Sequence, residues 1–254
     1  VVEYGTTVPV YDQIGRTYAE TRRADPRIAA QIAAALGDAR SVLNVGAGTG
    51  NYEPTGPSVI AVEPSMTMIC QRPTGSAPVV QGVAEGLPFV DGAFDAAMGT
   101  LTLHHWTDLA AGLAEVRRVS RRQVFLLFDG IFRDGYWLID DYFPEVWRLA
   151  SELEAPTVGD LGEHLDVQRA EAVMIPGDCT DGFGCAYWNR PEAHLDPVVL
   201  DGMSWTSQLD ADVLAAGVER LRADLASGAW DRRLGHLRDL DEKDYGYRLV
   251  VAGD

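Results

Sequence analysis

Five short, nearly uninterrupted apolar runs recur through the first half of the chain: SVLNV at 41–45, VIAVE at 59–63, PVVQGVA at 78–84, FDAAMGTL at 94–101 and QVFLLFD at 123–129. Runs this apolar have no polar face to turn to water. Each must be covered on both sides, which is the condition of strands in a parallel sheet with helices on its two faces. The intervening segments supply helices. Residues 10–20 read as one, and 25–36 as another, with Asp25 as N-cap, Pro26 at the first helical position and Gly37 as the stop. A third runs from Asp108 to Ser120, where Leu109, Leu113, Val116 and Val119 recur at helical spacing. Beyond Asp129 the pattern turns aromatic and acidic and then helical to Glu154. A strand at 172–176, a glycine- and aromatic-rich loop at 178–206, a helix over about 209–226 and a last strand at 245–252 are expected to complete the chain. With no internal repeat, it reads as one α/β domain carrying an embedded cap.

Composition narrows the partners. The 254 residues carry a formal net charge of −17, the reverse of what a phosphate backbone or an anionic membrane surface attracts, so neither nucleic acid nor a membrane is an expected partner. Cys70, Cys179 and Cys185 are an odd number without a CxxC pair, which indicates neither a disulfide framework nor a zinc site and fits a reducing cytoplasm. The longest aliphatic and aromatic run is Val124 to Phe128, and the opening VVEYGTT has no basic or apolar signal region, so no secretory or spanning segment is expected.

VLNVGAGTG sets Gly46, Gly48 and Gly50 directly behind the first apolar run, where small residues let the backbone turn sharply and approach a ligand closely. The second run ends in Glu63, whose carboxylate can accept from both hydroxyls of a ribose. The dinucleotide fingerprint GxGxxG is not met, because Asn51 stands where its third glycine is required. A nucleotide-like ligand is implied. Between Gly50 and Glu63 lie only twelve residues, including Pro54 and Pro57, so the helix after the loop is expected to be a single turn or absent.

NVGAGTG, AVEPS, GVAEGLPFVDGAFDAAMGTLTLHHW, the helix ending EVRRVS and the strand VFLLFD together resemble the class I S-adenosylmethionine-dependent methyltransferases, in the branch of the menaquinone and ubiquinone enzymes. The likeness covers residues 10–130. It implies a Rossmann-like, mostly parallel seven-stranded sheet with an antiparallel last strand, helices on both faces and a helical and loop cap. The cofactor S-adenosyl-L-methionine would lie over the C-terminal ends of the first strands and leave as S-adenosyl-L-homocysteine. By the resemblance, Gly46, Gly48 and Gly50 line the methionine and ribose, Glu63 holds the ribose, Ala84 and Glu85 border the adenine, and Thr100 and Leu101 flank the methionyl part. Val83 departs from the family, which commonly carries an acid there for the adenine amino group; Glu85 or a backbone carbonyl would have to replace it. The expected division is lid helices over 1–37, a cofactor-binding core over 38–129, cap insertions at 130–170 and 178–207, and a C-terminal helix and strand over 208–254.

Methyl transfer from a sulfonium needs alignment and exclusion of water, with a base only where the acceptor carries a proton. LTLHHW puts His104 and His105 just past the fourth strand, where the methyl group sits in this family, and a neutral imidazole there can take that proton. Tyr11, Tyr18 and Arg22 share one face of the first helix, which is similar to a lid over the cofactor; Tyr11 or Tyr18 is a candidate to lie over the sulfonium or to hydrogen-bond His104. In the bland reading that helix merely packs on the sheet with Arg22 and Arg23 exposed. Acceptor choice is assigned to His105 and to cap aromatics Tyr136, Trp137, Tyr142, Phe143, Phe183, Tyr187 and Trp188, which suit a largely apolar pocket for a small molecule. The spacing DCTDGFGC fits no metal-ligand pattern. Rival readings are a cyclase or eliminase that uses the same bound cofactor, a non-catalytic cofactor sensor, and a nicotinamide oxidoreductase, which the missing third glycine disfavours.

Overall fold

Strands form where the chain supplies apolar side chains alternately to two covered faces. A computed structural model describes residues 22–132 and 135–254. Among them, β1 (Ser41–Val45), β2 (Ser58–Glu63), β3 (Val79–Gln81), β4 (Phe94–Thr100), β5 (Ser120–Phe128), β6 (Val167–Ala172) and β9 (Tyr247–Gly253) make a seven-stranded sheet in the order β3-β2-β1-β4-β5-β9-β6. The five strands β3, β2, β1, β4 and β5 run parallel, and β9 lies antiparallel to both β5 and β6. A two-residue ladder pairs β7 (Ile175–Pro176) with β8 (Glu242–Lys243). The helices are α1 (Pro26–Leu36), α2 (Met66–Cys70), α3 (Leu109–Val119), α4 (Ala150–Leu153), α5 (Val158–His164), α6 (Pro197–Asp201), α7 (Ala211–Ser227) and α8 (Ala229–Leu234).

The side-chain period of two divides the core. On β5, Val124 and Leu126 join Ile28, Ile32 and Leu36 of α1 and the aromatic cap, while Phe125 and Leu127 join Leu113, Val116 and Val119 of α3 and Leu161 of α5. The helix signals act as expected at α1, where Asp25 accepts from the Arg27 N–H and Gly37 ends the helix at φ 65°. At α3, Asp108 accepts from the Ala111 N–H. Between Gly50 and β2 the chain runs in turns without a helix, in keeping with its length and its prolines.

Two expectations are corrected. The strand placed at 172–176 is β6 at Val167–Ala172 followed by the short β7, because β6 is an edge strand whose residues are mostly exposed and carry little apolar signal. The helix expected up to Glu154 is a chain of short turns, Leu138–Tyr142, Pro144–Arg148 and α4, interrupted at Pro144. The helix at 10–20 lies outside the described residues. Reversal of strand order between β1 and β4 opens a crevice at their C-terminal ends, the place where open α/β sheets bind ligands.

Candidate functional site

The glycine loop leaves β1 at that crevice. Gly46 and Gly48 have φ of 67° and 53°, in the left-handed region that favours glycine. The Gly48 N–H donates to Glu63 Oε2 at 2.7 Å, and the Ser65 N–H donates to Glu63 Oε1 at 2.9 Å. Glu63 is buried at the end of β2, and these two bonds hold its carboxylate in one orientation. Arg72, just beyond α2, braces the loop from behind: it donates to the Gly48 carbonyl at 3.1 Å and pairs with Glu53.

Glu85, expected beside the adenine, has one carboxylate oxygen engaged within the protein. Its Oε1 accepts from the Thr107 N–H at 2.6 Å, the Thr107 hydroxyl at 2.9 Å and the Asp108 N–H at 3.1 Å, so that oxygen caps the turn leading into α3. Ala84 is buried against the same helix, where Gly112 leaves space for the Trp106 ring; a Cβ on Gly112 would stand 2.4 Å from that ring.

Past β4 the backbone is strained. Thr100 ends the strand opposite Leu126, and Leu101 adopts φ 52°, the one positive φ outside glycine among the described residues; its N–H donates to the Leu126 carbonyl at 2.8 Å. The strain turns Thr102 onto the glycine loop: a Cβ on Gly46 would lie 1.9 Å from Thr102 Oγ1. A 3-10 turn over Leu103–His105 follows, and the rings of His104 and His105 touch, with centroids 3.9 Å apart.

His104 stands in the wall of a cavity of about 130 Å³ over the ends of β4, β5 and β9. Leu101, Phe128, Ile139, Val146, Trp147 and Trp205 supply much of its apolar lining, Tyr136, Phe183, Cys185 and Tyr247 extend it, and Arg22, Ser151, Glu152 and Ser204 are its polar members. His104 lines this cavity and is exposed. Desolvation first, then His105 and the Arg22 guanidinium, hold its pKa well below the ordinary imidazole value, so it is neutral at pH 7. Burial alone takes His105 down to about 4.

Of the cap residues expected at the pocket, Tyr136 and Phe183 line this cavity; His105, Trp137, Tyr142, Tyr187 and Trp188 do not. Their polar tips explain the difference. The Trp137 indole donates to the Trp188 carbonyl at 2.7 Å, the Trp188 indole to the Ile175 carbonyl at 3.1 Å, and the Tyr142 hydroxyl to Asp224 at 2.7 Å, which satisfies them inside the core. Tyr187 packs under the Arg190 guanidinium, 4.7 Å from its ring centroid. Phe143 is likewise core, against Trp205. Tyr11 and Tyr18 lie outside the described residues. Arg22, expected at the surface in the bland reading, is buried and paired with Asp181, whereas Arg23 is exposed. Among the described residues, no group of three or more His, Cys, Asp and Glu side chains could hold a metal, and no helix is long and apolar enough to cross a membrane.

His194 has no solvent exposure, and burial first of all depresses it to about 3. Between about pH 3 and 6.5 the unfolded chain binds a proton there that the folded chain does not, so stability rises with pH across that window and is lost on acidification below 6.5. His194→Gln is expected to reduce the stability difference between pH 6.5 and 5 by at most about 2 kcal/mol in urea unfolding; an unchanged pH slope would exclude it as the source.

Residues 43–128 match the family model described as a methyltransferase domain. The uncharacterized protein YafE of Escherichia coli is 36% identical over 135 residues, 51% of this chain and 65% of that protein. A demethylmenaquinone methyltransferase of Mycolicibacterium gilvum is 35% identical over 99 residues, 37% of this chain and 43% of that protein. The chain thus spans less than two thirds of these curated relatives. A crystal structure from Anabaena variabilis, described as a methyltransferase from an antibiotic biosynthesis pathway, superposes with a TM-score of 0.85 at 32% identity, covering 92% of this chain and 99% of that one. The chain belongs to the class I S-adenosylmethionine-dependent methyltransferases.

S-adenosylmethionine is the cofactor of that family, and the residues present fit it. A left-handed glycine turn and an oriented, buried carboxylate at the switch point suit a ribose carrying a small zwitterion, with no row of free N–H groups for a pyrophosphate required. The fold adds further residues to the site. Phe128 and Tyr247 end β5 and begin antiparallel β9 at the same sheet edge, and the rule that ligands sit beyond the carboxyl ends of strands points to that edge. Trp147, Glu152, Trp205 and the Thr102 interlock carried no local signal.

Proposed function

We propose that this chain transfers the methyl group of S-adenosylmethionine to a small-molecule acceptor seated in the cavity over β4, β5 and β9, with His104 as the base. The observation that carries the reading is the position of His104: neutral, in the cavity wall, and two residues from the Thr102 side chain that rests on the glycine loop. The bound cofactor supplies an electrophilic methyl group. The chain's own residues do the rest: the glycine loop and Glu63 hold the ribose and methionine, with Thr100 and Leu101 beside the methionyl part. Aromatic walls exclude water and align the acceptor, and His104 accepts the proton that an oxygen, nitrogen or carbon acceptor releases as it is methylated. Tyr11 and Tyr18 belong to the proposed lid. The buried, unbridged Cys179 and Cys185 support a reducing, cytoplasmic setting.

Calorimetric titration with S-adenosylhomocysteine, S-adenosylmethionine and NAD tests the cofactor site, with micromolar or tighter binding expected for the two sulfur ligands and none for NAD. Glu63→Ala should weaken S-adenosylhomocysteine about 100-fold or more, since hydrogen bonds to a charged acceptor contribute about 1.5–3 kcal/mol each. Unchanged affinity in a folded variant would remove Glu63 from the ribose site. Acceptors found by screening then decide between transfer and a cyclase or eliminase reaction, because only transfer consumes the cofactor.

A further inference from the structure

Asp181 has no solvent exposure, yet three donors converge on it. Arg22 Nε donates to Oδ1 at 2.6 Å and Arg22 Nη2 to Oδ2 at 3.3 Å, while the Tyr52 hydroxyl donates to Oδ2 at 2.8 Å. The donors come from distant parts of the chain. Tyr52 lies two residues beyond Gly50 in the cofactor loop, and Arg22, ahead of α1, lines the acceptor cavity with His104. Asp181 itself sits two to four residues before Phe183, Gly184 and Cys185, which form another part of that cavity's wall. The cluster continues through the Asp25 N–H, which donates to the Tyr52 hydroxyl at 3.4 Å, and the Thr180 N–H, which donates to Asp25 Oδ2 at 3.2 Å.

A fully buried carboxylate is costly unless it is paired and hydrogen-bonded, and a well-packed apolar trio would hold three segments together at least as firmly. What a directional polar cluster adds is a fixed register among its members, since the geometry that satisfies Asp181 requires Arg22 and Tyr52 in place together. We propose that Asp181 is a positioning residue that couples the two halves of the site: through Tyr52 it senses the cofactor loop, and through Arg22 and its own loop it sets the wall of the acceptor cavity. This rests on the cofactor reading above. A ligand that orders the glycine loop then orders the 178–186 loop as well, and by reciprocity an acceptor in the cavity tightens the cofactor site.

The test is hydrogen exchange of the whole chain, with and without saturating S-adenosylhomocysteine, in wild type, Tyr52→Phe and Asp181→Asn. In wild type, amides of both 43–52 and 178–186 should slow by about five-fold or more, the low end of ordinary coupling between sites. Tyr52→Phe removes one hydroxyl from the cluster while keeping the ring, and should abolish the slowing at 178–186 but retain it at 43–52. Asp181→Asn should give the same pattern. Slowing at 43–52 alone in wild type, or full slowing at 178–186 in Tyr52→Phe, would overturn the coupling and leave the cofactor reading intact. Slowing at neither segment would overturn both.

Discussion

His104→Ala is expected to lower turnover by about 10²–10⁴-fold, the usual contribution of a positioned general base, while leaving S-adenosylhomocysteine affinity within about two-fold. The argument begins with the environment of the ring. Desolvation is the first cause that resists its protonation, followed by His105 along the turn and the Arg22 guanidinium across the cavity. An imidazole so placed is ready to accept a proton well below pH 6.5, so wild-type activity should not fall through an ordinary histidine limb near that pH; the acid limb belongs lower. The loss in His104→Ala should shrink at high pH, where the acceptor ionises without help. Equal turnover of variant and wild type from pH 6 to 9 would mean that alignment alone carries the reaction.

Gly46→Ala has the second large expected effect, and it falls on both stability and binding. A residue with a side chain at φ 67° costs about 1–2 kcal/mol, and a Cβ placed 1.9 Å from Thr102 Oγ1 cannot be accommodated without moving the turn that carries Leu101 and His104. Overpacking of that kind costs a further ~1–3 kcal/mol, so thermal unfolding should shift down by about 5–15 °C for a chain of this size. Cofactor affinity should fall with it, because the loop and the β4 end interlock. Thr102→Ala added to Gly46→Ala should recover only part of the overpacking, since the Cβ at 102 still stands 2.9 Å from the added one, and should leave the backbone cost. An unshifted melting temperature in Gly46→Ala would show that loop and turn are not interlocked.

The extent to which this site was legible follows from how local each signal is. Short, nearly uninterrupted apolar runs, the Asp25, Pro26 and Gly37 punctuation and the Asp108 cap are read within a few residues, and they correspond to β1, β2, β4, β5, α1 and α3. Glu63 and the glycine loop were legible for the same reason, being one strand end and one tight turn. The cap resisted: Trp137, Tyr142 and Trp188 carry the same composition as Tyr136 and Phe183, and nothing along the chain says which rings satisfy their polar tips in the core and which face the cavity. At Glu85 the fold adds what the sequence did not signal: one carboxylate oxygen accepts three hydrogen bonds from the turn that leads into α3.

By itself the sequence determined a doubly covered parallel sheet, a close backbone approach at Gly46 to Gly50, an oriented acid at Glu63 and a histidine pair past β4, because each depends on neighbours in the chain. The tertiary structure alone decided that Thr102 fills the space Gly46 leaves, that His104 and not His105 faces the cavity, and that Arg22, Tyr52 and Asp181 meet in one buried cluster. Arg22 and Asp181 are 159 positions apart. A contact of that separation leaves no periodicity or spacing to read, since it exists only once folding has repaid the burial of both charges with each other.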